Sequence, residues 1–358
     1  MKRIAFIGEE YNHFDNKHVS GREARSESIL VSLRKYNPSV EVNVADRSIL
    51  SYGRGAASEN WRRTVPLLEQ ADAIVIVLTS TINRTFIRSI YAERYAAKSI
   101  GIVIGGMLAD SLAAQRTLRW KLLPFNTLMV QTDSMRRQLE ELGFPNIRVL
   151  QNYRVYEPGL LRNIMPRKKL RRCVVYSRLV PEKGVKTAIE AVRLFNGKRS
   201  EPVTLDIYGP LPPYHSEESE WLRLISEQEH IQYKGVLDFR TAIQTLNGYD
   251  CLLFPTYFIG EGFPGTIFEG FAAGLPIIAT DWLFNRELIC DGENGFLVPI
   301  RNPAAIAEKL ALLAENDELV YKMSLQSLAS FDKYREERAV PPLYEALDAI
   351  LKKSNYDA

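Results

Sequence analysis

Cysteine is scarce in this chain, with three among 358 residues, at Cys173, Cys251 and Cys290. An odd number at such wide spacing predicts no disulfide framework, and two of them head apolar runs, so reduced, buried thiols are expected. Histidine is also scarce, at four. No cluster of Cys and His at zinc-ligand spacing and no Asp-x-Asp motif stands in the sequence, so no metal site is expected. Long apolar runs are missing too: Ala73 to Leu78 and Ser99 to Ile104 are strand length, far from the roughly 18 residues of a bilayer-spanning helix. The start, Met1-Lys2-Arg3 followed at once by Ile4 to Gly8, is too short and lacks the cleavage pattern of a signal peptide. The expectation is a chain that begins here and stays in the cytosol. There is no low-complexity tract and no repeat of about 20 to 50 residues, which excludes disordered, fibrous and solenoid classes.

What is present is the composition of an ordinary globular protein, 46% hydrophobic and 25% charged, at a length that suits two domains. The net charge of +3 is unevenly spread: residues 1–165 carry 23 basic against 16 acidic side chains, a net +7, and the rest of the chain nets −4. A basic first half suits an anionic partner such as a membrane surface, a lipid diphosphate or a nucleic acid. The competing reading is that Arg62, Arg63, Arg84, Arg88, Arg136 and Arg137 solvate helix faces. The cations are dispersed and no base-reading motif accompanies them, which argues against nucleic acid.

The first half alternates Val/Ile-rich runs with segments whose apolar residues recur every three or four positions. Strands are predicted at Lys2–Ile7, Val40–Ala45, Ala73–Leu78, Ser99–Ile104, Thr127–Gln131 and Ile147–Leu150. Helices are predicted at Gly21–Tyr36, Asn60–Gln70, Asn83–Ala97 and Asp133–Leu142. Such alternation implies parallel strands joined by crossover helices, because a parallel neighbour needs a long return path. Gln151 to Arg172, with two prolines and a basic cluster from Arg167 to Arg172, reads as a linker. The alternation then resumes, with strands at Cys173–Ser177, Val203–Tyr208, Ile231–Lys234, Cys251–Phe254, Pro276–Ala279 and Gly295–Val298. Between and after them come helices at Val185–Phe195, Glu217–Glu227, Phe239–Leu246, Thr266–Ala273, Pro303–Glu315 and Asp317–Ser330. The expected fold class is therefore α/β, two doubly wound domains at 1–165 and 166–340, with a last helix within 341–355 packing back on the first. Ligands bind such sheets beyond the carboxyl ends of their strands.

Two stretches carry chemistry. In Ser177-Arg178-Leu179-Val180-Pro181-Glu182-Lys183-Gly184 the chain leaves a strand, turns at Pro181 and enters a helix near Val185. Arg178 offers a planar fork, Lys183 a point charge, and the free N–H groups of the helix start add partial positive charge, which together suit a diphosphate. A solvated turn with Lys183 paired to Glu182 is the alternative. The second stretch runs Gly260-Glu261-Gly262-Phe263-Pro264-Gly265-Thr266-Ile267-Phe268-Glu269. Its glycines let backbone amides approach a ligand, and its two carboxylates can each accept hydroxyl hydrogen bonds.

These stretches, with Ala273-Gly274-Leu275-Pro276 after them and Gly209, Gly235 and Phe254-Pro255-Thr256 between, resemble the donor half of the retaining family 4 glycosyltransferases of GT-B fold. The resemblance is strong over about residues 147–315. It implies two Rossmann-like domains facing across a cleft, the first for the acceptor and the second for a nucleotide sugar. Arg178 and Lys183 would hold the diphosphate and stabilise the charge that develops as the nucleotide leaves. Glu261 would accept from sugar hydroxyls, and the catalytic set would be Arg178, Lys183 and Glu261. Gly262, Phe263, Pro264, Gly265 and Thr266 would lie near sugar or phosphate, Glu269 would hold the ribose, and Gly235 and Val236 would line the base pocket. Gly21, at the start of the first helix, would approach the donor phosphates. The family transfers with retention and needs no metal or other cofactor, and a UDP-sugar is favoured over a GDP-sugar.

A histidine common in the family's first domain is missing, since Ser99–Ile104 is followed by Gly105-Gly106-Met107. His13 and His18 in the first loop are candidates or merely solvent exposed, and His215 and His230 have no supporting constellation. The resemblance thus implies a hexosyltransferase acting on a saccharide acceptor, of the kind carried on polyprenyl diphosphate in bacterial capsule synthesis. Peripheral membrane contact at the inner face would come through Phe86, Ile87, Ile90 and Tyr91 among Arg84, Arg88 and Arg94, a pattern that a core-facing helix shares. The alternatives are a nucleotide-sugar epimerase of similar fold and a non-catalytic subunit.

Overall fold

The computed structural model describes residues 1–8, 21–46, 64–79, 94–114, 116–156 and 165–353. Two compact units emerge: Met1–Val155 with Gly260–Phe263 and Arg335–Ala358 in one, and Tyr156–Ile259 with Pro264–Tyr334 in the other. His13, His18, Arg62, Arg63, Arg84, Phe86, Ile87, Arg88, Ile90 and Tyr91 fall outside the described residues.

The first unit holds a parallel sheet of β1 (Lys2–Gly8), β2 (Val40–Asp46), β3 (Ala73–Thr79), β4 (Ser99–Ile104), β5 (Thr127–Val130) and β6 (Ile147–Val149), ordered 2-1-3-4-5-6. Strand β3 reads AIVIVLT without alternation, and from Ala73 to Leu78 it is buried throughout. That is what a parallel strand covered on both faces requires. Helix α1 (Gly21–Tyr36) has the bounds its periodicity predicts. Two short helices, α2 (Leu108–Ala114) and α3 (Arg116–Leu122), were not expected. Helix α4 (Asp133–Glu141) is capped by Thr132, whose hydroxyl accepts from the Met135 N–H at 3.2 Å. Arg136 on this helix pairs with Asp133 and Glu140, so it serves as a solvated surface cation.

The second unit repeats the plan with β7 (Arg172–Tyr176), β8 (Thr204–Tyr208), β9 (Ile231–Tyr233), β10 (Cys251–Phe254), β11 (Ile277–Thr280) and β12 (Gly295–Val298), ordered 12-11-10-7-8-9. Its helices are α5 (Val185–Asn196), α6 (His215–Ser226), α7 (Ala242–Leu246), α8 (Gly265–Ala272), α9 (Pro303–Ala314) and α10 (Asp317–Phe331). Helix α7 starts three residues later than predicted. Asp238 accepts from the Arg240 N–H at 2.9 Å, and its carbonyl accepts from the Thr241 hydroxyl at 3.2 Å, which holds a turn where a helix was expected. Cys173 and Cys251 are buried, free register partners on β7 and β10. The hydrogen bond with Cys251 and burial push the Cys173 thiol well above its ordinary pKa. Cys290, expected to be buried, is exposed. It lies in a tight turn in which Asn294 Oδ1 accepts from its N–H at 2.9 Å, and the turn leaves the side chain outside the core. No helix among the described residues is long and apolar enough to cross a membrane.

After α11 (Glu336–Ala339), α12 (Pro341–Lys353) lies in the first unit. Its Leu343, Ala346, Leu347 and Ile350 join Ile4, Phe6, Ile29 and Leu33 in one core. Polar contacts fasten it: the Tyr344 hydroxyl donates to the Ser32 carbonyl at 2.8 Å, and Lys35 meets Glu336 at 2.6 Å.

The same core contains an uncommon element. Arg25 on α1 is 1% exposed, and its Nη2 donates to the carbonyls of Leu150 and Gln151 at 3.1 and 2.8 Å. Its guanidinium sits 4.5 Å from the centre of the Tyr153 ring. Desolvation brings its pKa down to about 10, with Tyr153 opposing and Arg154 adding to the fall, so it stays charged at neutral pH. Nε and Nη1 have no hydrogen-bond partner among the described residues. The residue staples α1 to the chain leaving β6. Arg25→Ala is expected to cost about 3 kcal/mol, through a cavity and two orphaned carbonyls. A urea midpoint equal to that of the wild type by circular dichroism would refute this.

Candidate functional site

In a doubly wound sheet the crevice opens where strand order reverses. In the second unit this point lies between β7 and β10, which are adjacent while their chains run off in opposite directions. The segment after β7 and the segment after β10 therefore meet there. After β7, the Ser177 N–H donates to the Tyr208 carbonyl at 3.0 Å and the Leu179 N–H to the Pro210 carbonyl at 3.0 Å, so the chain is held to the end of β8. A 3-10 turn at Pro181–Lys183 then leads into α5.

Gly184 makes this turn possible. Its φ of +69° is left-handed, and a β-carbon there would lie 2.0 Å from the Pro255 carbonyl oxygen. The two loops are joined further by the Tyr257 N–H donating to the Glu182 carbonyl at 2.7 Å, and by the Thr256 hydroxyl reaching the same carbonyl at 3.3 Å. On this frame Arg178 and Lys183 are brought together over one ring, that of Phe258. The Arg178 guanidinium carbon is 5.4 Å from its centre and Lys183 Nζ is 4.9 Å away. Phe258 was not picked out in the sequence, because an aromatic just past a strand reads as core.

The rest of the predicted set divides. Thr266 and Glu269 sit on α8, three apart and so on one side of the helix. The Thr266 hydroxyl donates to the Tyr176 carbonyl at 2.9 Å, which ties the first turn of α8 to the end of β7. Glu269 is 2% exposed. Pro264 is the N-cap of α8 and Gly265 its first residue. Gly235, just past β9, accepts from the Gly209 N–H at 2.9 Å, and Val236 is exposed, so backbone and an apolar side chain border that edge.

Glu261, Gly262 and Phe263 belong instead to the first unit. There the Gly106 N–H donates to the Gly260 carbonyl at 3.4 Å, and Asn152 Nδ2 donates to the Phe263 carbonyl at 3.2 Å. The Phe263 N–H and the Gly105 N–H share one acceptor, Gln131 Oε1, at 3.4 and 3.2 Å. A β-carbon on Gly262 would stand 2.7 Å from that oxygen and 2.9 Å from the Gly105 backbone, so only glycine fits. Glu261 is 7% exposed. The predicted strand Thr127–Gln131 ends one residue early, at Val130, and leaves Gln131 outside it. That residue is a buried amide just past β5 that organises two loops. Gly21 opens α1, as its position in the sequence suggested.

Residues 162–327 match the family model described as Glycosyl transferases group 1. The GtfA subunit of the UDP-N-acetylglucosamine–peptide N-acetylglucosaminyltransferase of Streptococcus gordonii is 31% identical over 166 residues, 45% of this chain and 31% of that protein. The capsular polysaccharide biosynthesis glycosyltransferase CapM of Staphylococcus aureus is 30% identical over 143 residues, 40% of this chain and 36% of that protein. The chain thus spans about a third of the length of these curated relatives. Anabaena HepE in complex with UDP-glucose matches in structure with a TM-score of 0.71 at 15% identity, covering 98% of this chain and 100% of that one. At that identity the likeness speaks for fold alone, and the fold is the GT-B class of two doubly wound α/β units.

Gly184→Ala is expected to lower stability by about 2 kcal/mol or more, because it forces a side chain into left-handed backbone against a carbonyl. Gly197→Ala, at a right-handed position with φ of −62°, is the control and is expected to move the melting temperature little. Equal melting of the two variants would contradict the steric argument.

Proposed function

We propose that the protein is a retaining, metal-independent glycosyltransferase. It moves a hexose or N-acetylhexosamine from a nucleoside diphosphate to a saccharide acceptor. The observation that carries this reading is the placement of Arg178 and Lys183 against one ring at the strand-order reversal of the second sheet. That is where such sheets bind nucleotides, and the helix start at Val185 adds partial positive charge beside it.

In the proposed reaction the bond between the sugar's anomeric carbon and the diphosphate oxygen breaks, an acceptor hydroxyl oxygen bonds to that carbon, the hydroxyl proton is released with the nucleoside diphosphate, and negative charge grows on the leaving group. Arg178 and Lys183 stabilise that charge more in the transition state than in the ground state, which is the condition for accelerating the step. Glu261 accepts from hydroxyls of the transferred sugar, and the amides of Gly262 and Gly265 serve sugar or phosphate oxygens. Glu269 holds the ribose hydroxyls from α8. Gly235 and Val236 border the base. Gly21 approaches the donor phosphates from the start of α1. The GtfA and CapM relatives, a UDP-N-acetylglucosamine transferase subunit and a capsule enzyme by name, favour a UDP-sugar as donor and a surface polysaccharide as product. We assign the acceptor as an oligosaccharide on polyprenyl diphosphate, met by the basic first half of the chain at the inner face of the membrane.

Lys183→Ala and Glu261→Ala are each expected to lower turnover at least about tenfold, since each removes a contact to the reacting donor. Steady-state rates equal to wild type in either variant would defeat the assignment. A thermal-shift panel of nucleotide sugars identifies the donor, because a ligand that binds only the folded state raises the melting temperature by mass action. A rise with UDP-sugars and none with GDP-sugars is expected.

A further inference from the structure

We propose that Gln131 is a positioning residue for Glu261: its carboxamide oxygen pins the glycine-rich segment that carries Glu261 and so sets where that carboxylate meets the donor sugar. The inference rests on the reading of Glu261 above as the acceptor of sugar hydroxyls, and adds to it the residue that gives Glu261 its place.

Three observations carry it, all within the first unit. First, one oxygen serves two loops: Gln131 Oε1 accepts from the Gly105 N–H at 3.2 Å and from the Phe263 N–H at 3.4 Å. Gln131 is itself buried, and its backbone is held between the end of β5 and Thr132, the N-cap of α4. Secondly, Glu261 lies between anchored neighbours. Before it, the Gly260 carbonyl accepts from the Gly106 N–H at 3.4 Å. After it, Phe263 is held at its N–H by Gln131 and at its carbonyl by Asn152 Nδ2, at 3.2 Å. Thirdly, the segment closes on the amide without a gap. A β-carbon on Gly262 would stand 2.7 Å from Gln131 Oε1 and 2.9 Å from the Gly105 carbonyl carbon, so the residue next to Glu261 is packed against the clamp itself.

The physical logic follows from what a sugar-gripping carboxylate needs. Hydrogen bonds weaken steeply with distance and angle, so the acid has to stand in one place relative to the hydroxyls it accepts from. Gly260 and Gly262 on either side of Glu261 let the backbone come close to a ligand, and the same freedom scatters the carboxylate unless something outside the segment removes it. A helix or strand ladder does not do so, because Gly260–Phe263 lies in neither. A carboxamide oxygen with two lone pairs does, since it accepts from two N–H groups at once and joins segments far apart in the chain. The ordering is then complete before the sugar arrives and is not subtracted from its binding. Gln131 touches neither sugar nor diphosphate in this scheme, so it acts through Glu261.

The test compares wild type with Gln131→Met, which keeps length and bulk but removes the oxygen, with Glu261→Ala, and with the double variant. Two ligands are titrated into each by calorimetry: UDP, and whichever of UDP-glucose, UDP-galactose and UDP-N-acetylglucosamine raises the wild-type melting temperature most. Gln131→Met is expected to weaken the UDP-sugar about tenfold and to leave UDP, which has no sugar for Glu261 to grip, within about twofold. A loosened fold would weaken both alike. In the Glu261→Ala background the Gln131 substitution is expected to change UDP-sugar affinity less than about twofold, because the group it acts through is gone. Melting temperatures are read in parallel. If the methionine variant melts early, Gln131→Asn takes its place; it keeps an amide but draws it back by one carbon, and the same pattern is expected. Unchanged UDP-sugar affinity in the folded Met or Asn variant, an equal weakening of UDP, or the same loss in both backgrounds overturns the inference and leaves the donor-site reading standing. If Glu261→Ala binds the UDP-sugar as well as wild type, the reading of Glu261 falls and the inference with it. Failure of wild type to bind UDP overturns the donor-site reading itself.

Discussion

The adjacency of β7 and β10 is the constraint on which the candidate site of the second unit depends, because it brings two cations from one loop to an aromatic ring from another. The requirement is geometric before it is electrostatic. Arg178 leaves β7 and Phe258 follows β10, so the pair exists only because those strands are neighbours in the sheet although some seventy-five residues separate them in the chain. Their register places Cys173 opposite Cys251 and Val174 opposite Leu252, deep in the core, where packing forbids a slip. The crossing of backbone at Gly184 and Pro255, together with the hydrogen bond from Tyr257 to Glu182, carries that rigidity out to the surface. Core packing, a left-handed glycine and a ring face thus form one chain of causes that fixes where Arg178 and Lys183 stand.

The first unit solves a related problem differently. Arg25 is buried outright and is held by two carbonyls and the Tyr153 face, with its charge spent on joining α1 to the end of β6. Its guanidinium is inside and Arg178's is outside, yet both rest on an aromatic face. The contrast shows what exposure decides: the same contact serves as a staple where water is absent and leaves the cation at the solvent where it is exposed.

Much of this was legible in the sequence because hydrophobic period is a strong signal wherever a parallel sheet is covered on both faces. Strands such as Ser99–Ile104 and Cys251–Phe254, and the helix Gly21–Tyr36, have the predicted bounds, and the helix Pro341–Lys353 falls within its predicted range. The misses have local causes. Helices α2 and α3 are seven residues each, too short to establish a period. The start predicted at Phe239 gave way to side-chain hydrogen bonds of Asp238 and Thr241, which compete with the helix ladder. Cys290 was judged by residue type, and a turn decided otherwise. At the candidate site, Arg178 and Lys183 were visible as cations after a strand. Phe258 was not, because its contact with them is made across the sheet, which no spacing rule encodes. Nor could spacing show that Gly260–Phe263, flanked by residues of the second unit, would group with the first through Gln131 and Asn152.

The helix at Pro341–Lys353 has a consequence for how the molecule is made. Its leucines fill the interior of a unit whose six strands all lie within the first 155 residues. During synthesis those early strands must wait, with Ile4, Phe6 and Ile29 lacking their last cover, while the whole of the second unit emerges and folds. The half that is translated first is therefore finished last. A gene cut after residue 155 would yield a fragment with an open apolar seam, not an independent domain.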